Sequence, residues 1–383
     1  MKASAIICEY NPFHNGHKFL IESVKSRTDN AVVAIMSGSF NQRGDVAIFD
    51  KFRRAETTVR NGADLVIELP TVYAVSSAQN FASAGVQIAI ALGCADELCF
   101  GAEDDIELLK KAADIFFDDS FNELVKRNMG GGDYYPQAVS KAASELAPEL
   151  GDVLTKPNNI LAVEYIKALR DTDIQPFAVR RKGAAHDTDE ISDDIASASK
   201  IREMILSGED VSKLIPPTDL SHSANMKNFE NQILYKLRTM SKAELSKLPD
   251  VSEGLENRLY DYIRSAKSVD ELISKVKTKR YTHARLRRII IAAFLNINAD
   301  MPKLPVPYLR VLAMNNKGAE LLGAIKQSGT LPLITNVADG YGRLDGQAKE
   351  IFDTDLRATD LHSLATDEIR PCGEDFTRGI IKI

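Results

Sequence analysis

The chain reads as an α/β protein: a parallel sheet with helices on both faces, followed by a mostly helical C-terminal region. Three observations predict this. Short apolar runs alternate with helical periods through the first two hundred residues. Those runs are continuously apolar, as strands buried on both faces are. Beyond about residue 207 the periodicity becomes almost wholly helical.

The elements follow in order. Residues 3–8 form the first strand, small or β-branched until Glu9. A helical period covers 17–25, and 31–36 (AVVAIM) is the second strand. Asp50 is placed to N-cap a helix ending near Asn61, with Gly62 just beyond it. Residues 65–68 form the third strand, and 76–92 a helix closed by Gly93. The fourth strand, 97–100, is broken by Gly101, and 177–180 is the fifth. Pro216, Pro217 and the polar stretch TDLSHSANM form a linker. Residues 229–295 are helical in period, and the last stretch opens with Pro302, Pro305 and Pro307. The expected division is an α/β unit at 1–207 and a mostly helical region at 208–383. In sheets of this kind ligands bind beyond the C-terminal strand ends.

Composition narrows the function. The 383 residues are 44% hydrophobic and 27% charged, with a formal net charge of −6. A chain so rich in apolar residues builds a core and is not disordered. No apolar run approaches the roughly 20 residues needed to span a bilayer. The N-terminal apolar stretch lacks a signal-peptide pattern, so a soluble cytoplasmic protein is expected. Cys8, Cys94, Cys99 and Cys372 form no C-x-x-C pair, and no zinc cage is expected.

The chemistry points to EYNPFHNGH, where the first strand runs into a helix. Gly16 lets backbone approach a phosphate with no Cβ in the way. The helix start offers free N–H groups to an anion. His14 and His17 can donate to phosphate oxygens as charge develops. Asn11 and Asn15 add neutral donors, and Lys18 a charge. A second element, IASASKIREMI, places Ser197 and Ser199 before a helix carrying Lys200 and Arg202, another anion-binding arrangement. Its plainer alternative is a simple Ser N-cap.

HNGH matches the signature of the HxGH nucleotidyltransferases, and ASASKIR resembles their distal ISSTxxR motif, with Ala198 where Ser is frequent. The segment GSFNQRGDVAIFDKFRRAETTVRNGADLVIELP (38–70) resembles the bacterial tRNA(Met) cytidine acetate ligase family. So do CFGAE, KPNNILAVEYIKAL, VRRKGAAHD and KRYTHARLRR, in the expected order. Ala162 stands where that family often has Gly.

The resemblance implies a Rossmann-like nucleotidyltransferase sheet. It implies an enzyme that makes acetyl-adenylate from ATP and acetate, then acetylates N4 of the wobble cytidine of elongator tRNA(Met). It also implies the ATP site: Cys8, Glu9, Tyr10, Asn11, Pro12, Phe13, His14, Asn15, Gly16, His17, Lys18, Phe19, Leu20 and Ile21, with Gly101, Asn158 and Arg181. Ser197, Ser199 and Arg202 join them, and Arg180 is the fallback for Arg181. His14, His17 and Lys18 carry catalysis on this reading. Asn158 has the alternative role of a helix N-cap. On the active rim, Arg43 and Lys51 are candidates for phosphate, and Ser37 or Ser39 for acetate. Magnesium is expected with the nucleotide, without a dedicated carboxylate cage; no protein partner and no membrane are implied.

The run KVKTKRYTHARLRR holds seven cations, Lys275, Lys277, Lys279, Arg280, Arg285, Arg287 and Arg288, and no acid. In an acidic chain it reads as a tRNA contact, with Tyr281 and His283 available to an unpaired base. The alternative is a solvated helix face. Two rival functions remain: a small-molecule adenylyltransferase of coenzyme synthesis, and a non-catalytic RNA-binding protein.

Overall fold

The computed structural model describes residues 1–181 and 194–383. The KGAAHD part of the block around Arg181 lies outside them. The first five strands are β1 (Ala3–Cys8), β2 (Ala31–Ser37), β3 (Leu65–Leu69), β4 (Ala95–Ala102) and β5 (Gln175–Arg180). They are mutually parallel in the order β5-β4-β1-β2-β3. Every residue of β1, β2 and β3 is buried, the burial that continuous apolar runs require. The sheet changes direction of growth between β1 and β4. The C-terminal ends of those strands, Cys8 and Gly101, therefore flank the natural ligand crevice.

The 208–383 region, expected to be mostly helical, also supplies strands. β6 (Leu309–Met314) pairs antiparallel with β3, and β7 (Leu333–Ile334) and β8 (Ile381–Lys382) pair parallel with β6. The sheet is thus mixed and eight-stranded. An inward cation hides β6 from apolar pattern reading. Arg310, 2% exposed, bonds Glu68 of β3 at 2.9 Å and Asp375 at 2.5 Å, and Lys51 joins the same cluster. Buried charge of this kind is tolerated because each group has opposite partners.

Local chemistry sets the helix starts. Asp50 caps Lys51–Arg60 by accepting the Arg53 N–H, Ser197 caps Ala198–Ser207, and Thr282 caps His283–Phe294. Among the described residues no helix is long and apolar enough to cross a membrane.

Candidate active site

A cavity of about 540 Å³ opens at the C-terminal ends of β1 and β4. Its wall comes from the loop after β1, the rim loop after β2, and the starts of the Pro157–Leu169, Ala198–Ser207 and His283–Phe294 helices. Phe81, Phe100, Leu161 and Tyr165 form an apolar part of the lining, with the Phe100 and Tyr165 rings 5.6 Å apart. Phe100, Leu161 and Tyr165 fall in the CFGAE and KPNNILAVEYIKAL blocks and Phe81 in none, and distant segments bring the four together. Elsewhere the described lining holds five arginines, Arg43, Arg180, Arg181, Arg202 and Arg288, against one carboxylate, Glu9. That balance suits a polyanion with a flat apolar end.

The two histidines are built into the helix start. His14 is the N-cap of Asn15–Lys25, and its Nδ1 accepts the Gly16 N–H at 3.1 Å. The His14 N–H donates to Nδ1 of His17 at 3.2 Å. This is a reciprocal capping box made of imidazoles. Gly16 permits it, since a Cβ there would lie 2.9 Å from the His14 ring. The rings stack with centroids 3.6 Å apart. Both Nδ1 atoms accept, so each neutral ring carries its proton on Nε2. Burial, then Arg181 and Arg202, pushes the His14 pKa down to about 3. Burial, then His14 and Arg181, holds His17 well below the usual imidazole value. Near pH 7 the cavity therefore has two uncharged Nε2–H donors in a positive field.

Of the loop residues, Cys8, Glu9, Tyr10, Asn11, His14, Gly16, His17, Phe19 and Leu20 line the cavity. Pro12, Phe13, Asn15, Lys18 and Ile21 do not. Phe13 and Ile21 are core, and Asn15 spends its amide on the carbonyls of Asp194 and Lys213 at 2.9 and 2.7 Å. Asn15 is therefore a brace and not a donor toward ligand. Lys18 is exposed, lies 3.9 Å from Glu22 and is absent from the cavity lining, so the fold does not bring it to the site expected of it.

Gly101, Asn158, Arg180, Arg181, Ser197, Ser199 and Arg202 all line the cavity. Lys156, not Asn158, is the N-cap of Pro157–Leu169, which leaves the Asn158 side chain free of the capping role. Asn158 donates to Glu103 at 2.5 Å and accepts from Arg181 at 3.4 Å. A Cβ on Gly101 would meet Arg181 Cγ at 3.4 Å. Ser197 is an N-cap and a cavity residue at once. Arg202 donates to the Asn11 carbonyl at 2.8 Å and to Ser199 Oγ at 3.2 Å.

The rim corrects several expectations. Arg43 faces the cavity, but Lys51 is wholly buried between Glu68 (2.8 Å) and Asp375 (2.9 Å), so it cannot reach a phosphate. Ser37 and Ser39 are buried and off the cavity wall. Arg54, one of the polar groups of the rim segment, and His362, which the sequence does not mark, hold the rim. Arg54 donates to the carbonyls of Glu9, Ser37, Gly38 and Phe49, and His362 donates from Nε2 to the Ala47 carbonyl at 2.7 Å.

The basic run is split between two helices and the loop that joins them: Lys275 lies in the last turn of Val269–Val276, Lys277, Lys279 and Arg280 in the loop, and Arg285, Arg287 and Arg288 on His283–Phe294. Lys277, Lys279, Arg280 and Arg287 are exposed. Lys275 pairs with Glu271 at 2.7 Å. Arg285 binds the Asp250 carbonyl, and Arg288 binds the Asp250 carboxylate at 3.2 Å while lining the cavity. Acids from other segments thus compensate a run that has none of its own. Tyr281, expected to meet a base, is buried beneath Arg285. The helix presses on the rim at Gly44 (φ +72°), where a Cβ would lie 2.5 Å from the Arg287 and Arg288 backbone.

A family model described as HIGH Nucleotidyl Transferase matches residues 1–375. The chain is 38% identical over 400 residues to the tRNA(Met) cytidine acetate ligase of Thermoanaerobacter sp. strain X514, covering 99% of each. The chain belongs to the tRNA(Met) cytidine acetate ligase family. A family member of the same name from Clostridium tetani is 34% identical over 411 residues, with both chains fully covered. The fold agrees with the crystal structure of apo TmcAL from Thermotoga maritima at TM-score 0.93, and with its alpha-thio ATP complex at 0.90. Each is 28% identical over the whole of both chains.

Proposed function

We propose that the chain is an ATP-dependent acetate ligase that acetylates N4 of the wobble cytidine of elongator tRNA(Met). The observation that carries this is the intact two-histidine capping box in an arginine-rich cavity of a full-length family member. ATP lies with its base against Phe81, Phe100 and Tyr165. Its phosphates face His14, His17, Arg181, Arg202 and the Ala198–Ser207 helix start. An acetate oxygen attacks the α-phosphorus, the bond to the β-phosphate oxygen breaks, and pyrophosphate leaves. The two Nε2–H groups bind the charge that accumulates on phosphate oxygens. Cytidine N4 then attacks the acetyl carbon, AMP leaves, and N4 loses a proton.

Glu9, the one carboxylate in the described lining, already accepts the Gln42 N–H at 2.7 Å. Among the described residues the cavity offers no further carboxylate, and the reading has magnesium enter as part of the nucleotide complex. The tRNA backbone meets Lys277, Lys279, Arg280 and Arg287, which lie on the C-terminal side of the division proposed near residue 207. A reaction on tRNA places the protein in the cytoplasm.

The test incubates the protein with ATP, labelled acetate and bulk tRNA. The expected result is label in one elongator tRNA, released by digestion as N4-acetylcytidine. Pyrophosphate release that requires a phosphorylated coenzyme precursor and ignores acetate would instead establish the small-molecule adenylyltransferase.

A further inference from the structure

Asn11, a residue of the cavity wall, carries a buried donor without a partner. Asn11 is 3% exposed. Its Oδ1 accepts the Ile48 N–H at 2.7 Å, which fixes which end of the amide is oxygen. Its carbonyl accepts from Arg202. Its Nδ2 has no hydrogen-bond partner. Among the described cavity residues one other buried side-chain atom shares that condition, the Tyr10 hydroxyl, which has the Cys8 thiol beside it. A buried amide donor left unpaired is costly, and native structures keep such groups where a ligand completes them.

We infer that Asn11 Nδ2 holds the acetate oxygen that does not attack phosphorus, and stays on it as the acetyl carbonyl oxygen. This rests on the acetate-ligase reading above. Acetate has two equivalent oxygens, and the reaction needs one free to attack. A guanidinium would engage both in a fork. A single neutral N–H binds one oxygen and leaves the other nucleophilic. Once the first C–O oxygen has bonded to phosphorus, the held oxygen is the carbonyl. When N4 attacks the acetyl carbon, that oxygen gains the negative charge, and the charge returns to reform C=O as AMP leaves. One fixed donor thus serves both half-reactions. Ser37 and Ser39, off the cavity wall, are not placed for this task.

Asn11→Asp keeps an oxygen for the Ile48 N–H and replaces the donor with an acceptor. The expected result is acetate-dependent ATP–pyrophosphate exchange lowered about a hundredfold, with a raised KM for acetate. The KM for ATP should rise less than the KM for acetate. Asn11→Ser, which removes Nδ2 without adding charge, should show the same split and serves if the first variant unfolds. ATP affinity falling in step with exchange would assign the donor to the nucleotide and overturn the inference. So would unchanged acetate dependence in a folded variant of an active enzyme. Wild-type protein with no acetate-dependent exchange would instead overturn the acetate-ligase reading itself.

Discussion

The loop from Cys8 to His17 and the run from Lys275 to Arg288 both stand out by residue type, yet the structure handles them differently. In the loop, strand end, turn and helix start lie within ten residues, and the hydrogen bonds that define the site are between neighbours. The motif is its own context. In the basic run the loop holds Lys277, Lys279 and Arg280 in solvent, the helix after it sends Arg287 outward and Arg285 and Arg288 inward, and Asp250, far off in sequence, decides the fate of those two. Motif chemistry survives folding when its partners are local, whereas a charge run is redistributed by tertiary contacts.

Replacing the loop's histidines gives the largest expected effect. His14→Ala or His17→Ala removes an Nε2–H donor, and in either case also breaks the capping box. Loss of a key donor of this kind is worth roughly 3 to 4 kcal/mol. Acetyl-adenylate formation should fall about a hundredfold or more, while tRNA affinity holds. Near-normal adenylate formation by a folded double variant would show that the loop's geometry is not its chemistry.

A second expectation concerns acid. His14 and His362 are buried and His17 half-buried, all with pKa values pushed below 6.5, His14 to about 3 and His362 to about 4. Below pH 6.5 the unfolded chain binds protons that these rings refuse in the fold. Stability is therefore fully present above 6.5 and is lost as pH falls toward the folded-state values. Each such histidine contributes a slope of roughly 1.4 kcal/mol per pH unit in that window. Urea unfolding between pH 7 and 5 should show this slope, and His14→Asn/His17→Asn should flatten it by up to two protons. An unchanged slope in the double variant would mean the pair is charged in the fold.

The five parallel strands were legible because strands buried on both faces are continuously apolar, and the Asp50 cap because capping is a local exchange of hydrogen bonds. What stayed hidden has one physical cause. Lys51, Arg54 and Arg310 look like surface or ligand cations in sequence, but each is buried because a distant carboxylate or set of carbonyls receives it. The same blindness concealed β6, and it made Lys51 look like a phosphate ligand. In the site, the histidines, Gly16 and the distal serines could be read from spacing. The apolar wall and the distinction between Lys156 and Asn158 could not, since side-chain reach and helix phase decide them.

The exposed half of the basic run sharpens the comparison from the other side. Changing Lys277, Lys279, Arg280 and Arg287 to Ala should weaken tRNA binding. Each lost phosphate contact removes somewhat under one unit of slope in log affinity against log salt, so the slope should become shallower by about two to three. Acetate-dependent pyrophosphate exchange without tRNA should be unchanged, because none of the four lines the ATP cavity. Filter binding at several salt concentrations measures the first, and loss of exchange would show that the outward face also supports the catalytic fold.

Arg285 gives the smallest effect and separates position in sequence from position in space. It belongs to the basic run, but its Nε and Nη2 both donate to the Asp250 carbonyl, at 3.0 and 2.7 Å, and Nη2 also reaches Ser252 Oγ at 2.9 Å. Its guanidinium lies 5.2 Å from the Tyr281 ring centre. These contacts are structural, tying the start of the His283–Phe294 helix to the 250–252 turn. Arg285→Ala removes charge-assisted bonds and a partly exposed cation–π contact, an expected loss of about 1 to 2 kcal/mol of stability. It should lower the urea midpoint while leaving the salt slope of tRNA binding where it was. A slope shallower by nearly one unit with no loss of stability would place Arg285 on phosphate, and its assignment as a structural contact would then be wrong.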